Sequence, residues 1–422
     1  MDEFNLRREA LFDLLEDNSL ALIYSGVSKI ASEDSFLPFV VNNHFFYLTG
    51  IEQENSVLMM IKTPGENKAY LFIDEHNELK ERWTGKKITP ELASEIAQIA
   101  NVYTNKNLES MLDMALAEDK SVYGQIRHLY LDLSDEIKIA TNLSTQIFAK
   151  QLEEKYAKET INIYPLIRSL RMVKSDLEVN NIIEAINITN IGINDLLANM
   201  RIGMYEHELS DRFEYYGKTH GRRTLAFETI CAAGVDATVM HHPIAQQTAS
   251  IKEGDLVLFD LGYNYAGYSA DISRTYPING IFSDLQKRIY QVVLTCNKAV
   301  IEYAKPGLKL ADLQEYAKKI LKEEAVKKEL IKEDEDITKY YIHNVSHHLG
   351  LDTHDTSDRN LPLVPGNVIT VEPGLYFVDL GIGVRIEDDV LITQGGAICL
   401  SKSIKKEIDE VEKLLRSKRK AQ

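Results

Sequence analysis

The sequence predicts an α+β protein in two domains, an α/β domain over residues 1–158 and a larger one over 175–422, joined by a linker at 159–174. Three observations lead there. The 422 residues suffice for two or three separate cores. Before residue 160, strand-like apolar runs alternate with polar helical stretches, and beyond it a helix–helix–strand order occurs twice.

Taken in order, ALIYSGV, HFFYLTG, SVLMMIK and AYLFID read as strands and PELASEIAQIA as a helix. INIYPLIRSLRMVKS, with Pro165, reads as passage between domains. Ser175 and Glu178 then form a capping-box pattern, and Val179, Ile182, Ile183, Ile186, Ile193 and Leu197 continue an apolar helical face. A second helix is expected at about 205–219, followed by strands around FETICAAG, DLVLFDLG and YSADISRTY. Ser283 and Gln286 open the second pass, with a helix at about 309–330 and strands at VITVEPGLYF and GVRIEDDVLIT. No residue-level repeat accompanies this order, so the two-fold organisation rests on the elements alone.

Composition narrows the class. Charged residues at 27% and hydrophobic ones at 44% are an ordinary globular mix. A net charge of −16 opposes non-specific binding to nucleic acid or an anionic membrane, and the basic RSKRKAQ reads as a solvated helix end. Cys231, Cys296 and Cys399 are widely spaced and odd in number, which suggests neither a disulfide framework nor a metal clip. MDEFNLRREALF lacks the apolar run of a signal peptide, and no run reaches the length of a membrane span. The expectation is a cytoplasmic protein.

The functional signal is four acids in two hairpin-like segments: Asp260 and Asp271 in FDLGYNYAGYSADISRT, Glu372 and Glu387 in TVEPGLYFVDLGIGVRIEDD. Buried carboxylates must pair, protonate or bind a metal. Arg274 and Arg385 are too few for four acids. Two divalent cations held by the acids and one imidazole would balance the charge. Manganese suits so oxygen-rich a site best, with cobalt or zinc as alternatives. Each residue also has a structural reading. Asp260 could cap the turn before Gly262, Asp271 could pair with Arg274 and Glu387 with Arg385, Glu372 could end a strand, and His347 could be a satisfied core histidine. Five such coincidences in two matching segments are less economical than one metal centre.

Eight of the eleven histidines lie between positions 207 and 354. His241 and His242 sit in DATVMHHPIAQQ, and His347, His348 and His354 in SHHLGLDTHD. His207, His220 and His343 have no distinctive context and read as structural.

FETICAAGVDATVMHH, the FDLG…SADISRTYP pair, SHHLGLDTHD, PGNVITVEPGLY and GVRIEDD together resemble the aminopeptidase P and prolidase group of pita-bread metallopeptidases. HFFYLTGIEQENSVLMM and ERWTGKK resemble its creatinase-type N-terminal domain, so the likeness spans nearly the whole chain. The resemblance implies a pita-bread catalytic domain with Asp260, Asp271, His347, Glu372 and Glu387 as metal ligands. Asp271 and Glu387 would bridge two ions, Asp260 would hold one, and His347 with Glu372 the other. It makes His241 and His354 contacts to substrate and to the tetrahedral intermediate, and Arg385 the residue that orients a site carboxylate or substrate. His348 falls at a variable position. His242 stands where an aromatic residue is common, and Lys405-Lys406 replaces a frequent Pro-Lys.

The implied reaction is hydrolysis of an N-terminal Xaa-Pro bond in peptides with proline second. Water shared by two such ions ionises near neutral pH, and Glu372 is the candidate proton shuttle to the leaving nitrogen. A prolidase, restricted to Xaa-Pro dipeptides, would use the same ligands. Creatinase lacks them, methionine aminopeptidase does not usually carry this N-terminal domain, and a catalytically silent binding module would have lost ligands. The N-terminal domain implies a homodimer or higher homo-oligomer. Trp83, the sole tryptophan, would either line a neighbour's cleft or pack in its own domain.

Overall fold

The computed structural model describes residues 3–33, 35–116, 121–133, 141–219 and 224–420. His220 and the last two residues of RSKRKAQ lie outside the described residues. The chain divides into two compact units, Met1–Arg171 and Met172–Gln422.

The first unit is built on β1 (Ser19–Tyr24), β2 (Val57–Thr63), β3 (Glu66–Ile73), β4 (Asn101–Thr104), β5 (His128–Leu131) and β6 (Thr160–Asn162). They form one mixed sheet in the order β4-β3-β2-β1-β5-β6, with β1, β2 and β3 antiparallel and the outer pairings parallel. Leu20, Leu22, Met59, Ile61 and Phe72 share one core, the alternation a pleated strand demands.

Two expectations change here. HFFYLTG is not a strand but the helix Asn43–Thr49. The Asn42 side chain accepts the His44 N–H at 2.7 Å, and Gly50 (φ +66°) closes the far end by donating to Phe46 O. These caps override the β-propensity of the aromatics. The stretch expected to link the domains also carries structure: its first residues form β6, and Tyr164–Met172 is a helix. Pro165 stands in that helix's first turn, where its missing N–H has no intrahelical partner to lose.

In the second unit the helix pair Asp176–Asn199 and Glu206–Thr219 precedes β7 (Ile230–Ala233), β8 (Leu256–Leu261) and β9 (Ile272–Pro277), a three-stranded antiparallel sheet in the order β9-β8-β7. A second pair, Asp284–Tyr303 and Leu310–Lys327, precedes β10 (Val368–Val371), β11 (Gly374–Phe377), β12 (Ile382–Arg385), β13 (Asp388–Thr393) and β14 (Gly396–Cys399). The capping boxes at Ser175–Glu178 and Ser283–Gln286 are both formed. After β8 the chain is tied to the first pair: Tyr263 N–H donates to Thr189 Oγ1 at 3.0 Å, and the Tyr263 ring stacks on Phe213. Among the described residues no helix is long and apolar enough to cross a membrane.

Candidate active site

Asp260 lies within β8 opposite Ser273, and Asp271 immediately precedes β9. The two arms approach so closely at Gly262 that a Cβ there would sit 1.9 Å from the Ala270 carbonyl oxygen. Only glycine fits between the acids.

The second half presents its acids differently from the continuous strands expected. β10 stops at Val371 and β11 starts at Gly374, while β12 stops at Arg385 and β13 starts at Asp388. Val371 pairs with Asp388 on one side of this interruption and Gly374 with Arg385 on the other. The register is therefore unbroken, and counting through the gap sets Glu372 opposite Glu387. Like charges directly opposed disfavour pairing, and Pro373 has no N–H to offer. The backbone turns outward instead: Glu372 N–H donates to Val345 O at 2.9 Å and Glu387 N–H to Ser273 O at 3.0 Å.

His347 is carried to this opening by its own backbone. Its N–H donates to Thr370 Oγ1 at 3.1 Å, and its carbonyl accepts the Thr370 N–H at 2.9 Å. The ring Nδ1 lies 2.9 Å from the His348 carbonyl, which can only accept, so Nδ1 carries the hydrogen. Nε2 then faces Asp271 Oδ2 at 3.3 Å and Glu372 Oε1 at 3.6 Å. Oxygen and nitrogen donors of Asp260, Asp271 and Glu387 lie within 4.8 Å of one another, as do those of His347, Glu372 and Glu387, and those of Asp271, His347 and His354.

The electrostatics are those of acids short of cations. Burial, reinforced by Asp271, Glu372 and Asp260, pushes Glu387 well above the carboxylate range. Burial pushes Glu372 up to about 7, with His347 opposing and Asp271 adding. Burial likewise raises Asp271, against the hydrogen bond from His347. For His347, burial works downward but the Asp271 hydrogen bond and the Asp271 and Glu372 charges outweigh it, up to about 9. The shifts of Asp271 and His347 compete, since a protonated Asp271 no longer raises His347. The carboxylate shift is the firmer, because several acids share one imidazole.

One guanidinium enters. Arg385 Nη2 donates to Asp260 Oδ2 at 2.7 Å, Nε to Ser273 Oγ at 2.7 Å and Nη1 to the Tyr376 hydroxyl at 3.2 Å. Ser273 Oγ in turn donates to Glu387 Oε2 at 2.7 Å. Arg274 pairs with Asp388 at 2.7 Å. The local pairings Asp271–Arg274 and Glu387–Arg385 are thus not the ones formed. Asp260 Oδ1 is buried without a hydrogen-bond partner. That orphaned oxygen, the opposed glutamates and the Nε2 lone pair are a donor set that fits divalent cations.

Around the acids, the His354 ring centroid stands 4.1 Å from that of His347. The His354 side chain is exposed at one edge, yet the protein crowded around it and the charge of His347 lower it to about 4, which leaves it neutral at pH 7. His241 and His354 line a cavity of about 690 Å³ with Phe227, Ile230 and Ile244. His343, read from sequence as structural, stands here too: its Nδ1 lies 3.6 Å from Glu372 Oε2 and its Nε2 2.8 Å from the Tyr376 hydroxyl. YYIHN carries no motif that would have revealed it, whereas Tyr376 closes the quoted PGLY. His242 turns away to Glu206 at 3.0 Å, and His207 is bonded to the Gln247 carbonyl at 2.9 Å.

Residues 180–394 match metallopeptidase family M24, and residues 4–123 match the aminopeptidase P N-terminal domain. The Xaa-Pro aminopeptidase of Haemophilus influenzae is 30% identical, over 98% of this chain and 97% of its own. A Bacillus anthracis structure assigned as an aminopeptidase P superposes with a TM-score of 0.93 at 41% identity, covering 99% of this chain and 98% of that one. Zn-substituted Escherichia coli aminopeptidase P in complex with product gives 0.88 at 29% identity, with the same coverage. Matched in both units and over essentially its whole length, the chain belongs to the aminopeptidase P family within metallopeptidase family M24.

Proposed function

We propose that this chain releases the first residue from peptides with proline in second position, using two divalent cations, manganese foremost, held by Asp260, Asp271, His347, Glu372 and Glu387. As a member of family M24 it is a metallopeptidase that depends on divalent metal and acts on peptides. The carrying observation is the convergence of four carboxylates and one imidazole on one space, where Arg385 pairs with Asp260 alone of the four acids. Asp271 and Glu387 would be shared between the ions, with Asp260 at one end and His347 with Glu372 at the other; Glu387 groups with both ends, with Asp260 and Asp271 and again with His347 and Glu372. The likeness to an Xaa-Pro aminopeptidase over its whole length supports the same scissile bond.

Cations bound there would supply charge to polarise the carbonyl and a water acidic enough to ionise near neutrality. Glu372, beside that water, would take its proton at a carboxyl oxygen and pass it to the proline nitrogen as the bond breaks. Neutral His354 can donate an N–H to the oxygen that gains charge, and His241 faces the same cavity. Arg385 fixes one oxygen of Asp260 and leaves the other free to ligate. A peptide-bonded proline nitrogen bears no hydrogen, so selection falls to apolar walls such as Phe227, Ile230 and Ile244.

A second reading, cleavage of Xaa-Pro dipeptides alone, draws on Arg359, which lines the acids' own cavity and would take a substrate carboxylate. Metal-stripped enzyme, with and without added Mn²⁺, assayed on an Xaa-Pro dipeptide and an Xaa-Pro-Yaa tripeptide, separates the two. Mn²⁺-dependent cleavage of the tripeptide is expected. Cleavage of the dipeptide alone would sink the aminopeptidase reading.

Association through the first unit belongs to the same proposal. Trp83 is 87% exposed, so it does not pack in its own unit, and Ile30, Phe36 and Val40 are exposed as well. Ser28 and Lys87 both bond Glu54, which draws the two apolar segments toward one face. A homodimer or higher homo-oligomer would cover it, and a monomer in sedimentation at micromolar concentration would count against this. Free Cys231, Cys296 and Cys399 support a reducing, cytoplasmic setting.

A further inference from the structure

The two interrupted strands need something to hold them apart in register, and the second helix pair supplies a candidate. Asn297, wholly buried on Asp284–Tyr303, donates from Nδ2 to the Val371 carbonyl at 3.1 Å and to the Ile386 carbonyl at 3.3 Å. Those carbonyls immediately precede Glu372 and Glu387. The amide oxygen accepts from Lys406 Nζ at 2.7 Å, and the same ammonium reaches Asp388 Oδ2 at 2.6 Å. Two carbonyls can only accept and an ammonium can only donate, so the amide has one permitted orientation.

We propose that Asn297, oriented by Lys406, is the positioning residue that sets the separation of Glu372 and Glu387 and so the metal affinity of the site. Three features support it. One side chain spans both sides of the gap, so it governs the distance between two donors and not the placement of one. The gap's own backbone supplies a single bond across, from Ile386 N–H to Pro373 O at 3.3 Å. Lys406 links the bridge to Asp388, which Arg274 also holds, so the start of β13 is fixed from two directions. Groups that orient metal ligands typically change metal affinity 10- to 100-fold when removed.

The inference rests on the metal-site reading above, and its test needs no substrate. Mn²⁺ binding to the metal-stripped full chain is measured by calorimetry for the parent, Asn297→Leu and Val293→Ala. Asn297→Leu keeps the branching at Cγ and removes both carbonyl bonds and the acceptor for Lys406. Val293→Ala removes buried methyls one turn away on the same helix, so it reports general loosening. Asn297→Leu is expected to weaken Mn²⁺ binding at least about tenfold, and Val293→Ala to change it less than about twofold. Equal affinity in Asn297→Leu and the parent, or an equal loss in Val293→Ala, overturns the proposal. Should Asn297→Leu not fold, Lys406→Met removes the partner of the amide oxygen and the link to Asp388, and is expected to weaken binding at least about threefold. Unchanged affinity there overturns it as well. A parent that binds no Mn²⁺ refutes the metal reading itself, and one that binds it but cleaves no Xaa-Pro bond refutes only the proposed reaction.

Discussion

The two halves of the second unit follow one order of elements but offer their acids in opposite ways. In the first, Asp260 stays inside a paired strand, and its charge is met by Arg385 reaching over from the other half. In the second, Glu372 and Glu387 face each other where pairing stops on both strands. One half keeps its sheet and imports a cation; the other opens its ladder and meets its charge with Ser273 and His347. An antiparallel scaffold can therefore build a polyacid site by borrowing a counter-charge or by opening its own ladder, and here both devices meet.

Asp271 and Glu387, the donors proposed to serve both halves, carry the largest expected effect. Asp271→Ala and Glu387→Ala are each expected to lower kcat/KM by at least about 10³-fold, roughly 4 kcal/mol of transition-state stabilisation. A loss below tenfold in steady-state assays would mean that the halves do not act on common ions. Arg385→Met tests the borrowed charge. It strands the partly buried Asp260 and is expected to destabilise metal-free protein by about 3 kcal/mol in urea titrations, less when Mn²⁺ is present. If metal does not lessen the loss, the cation and Arg385 do not share Asp260.

The open half carries a pH signature. Glu372 titrates at about 4.3 when unfolded and at about 7 when buried without metal, so between those values the native state holds the extra proton. Stability of the chelated protein should therefore fall as pH rises from about 4.3 to 7, by on the order of 4 kcal/mol for Glu372, and the raised His347 extends the fall toward about 9. Added Mn²⁺ should flatten the fall, and thermal unfolding at pH 5 and 8 with and without chelator reads both. The smallest effect expected concerns the shared order itself. Ser175→Ala and Ser283→Ala remove equivalent capping boxes and should each cost about 1 kcal/mol in urea unfolding without altering kcat.

Sequence carried the parts of this arrangement that are local or periodic. Both capping boxes, the helix pairs and the strands β1, β2 and β3 follow from spacing and cap chemistry, whereas the short β4, β5 and β6 carry no such pattern. Asn43–Thr49 did not, because aromatic content points to a strand while Asn42 and Gly50 decide for a helix. The acids could be named, but their pairing logic could not. Arg385 lies two positions from Glu387 in sequence, yet its guanidinium goes to Asp260, 125 residues away. Asn297 and His343 stand in ordinary helical and loop sequence, and only the fold brings them to the carboxylates.

The unbroken register across the Glu372–Glu387 gap has one more consequence. The hairpin is poised to zip shut, and the repulsion of two glutamates, the proline beside one of them and the outward backbone bonds to Val345 and Ser273 oppose it. A Glu372→Val/Glu387→Val chain should regain cross-strand packing and, without metal, outlast its parent in denaturant by about 1 kcal/mol. The fold would gain in robustness what it lost in chemistry, so a chain of this fold freed from its reaction could drift toward a closed, firmer and inert hairpin.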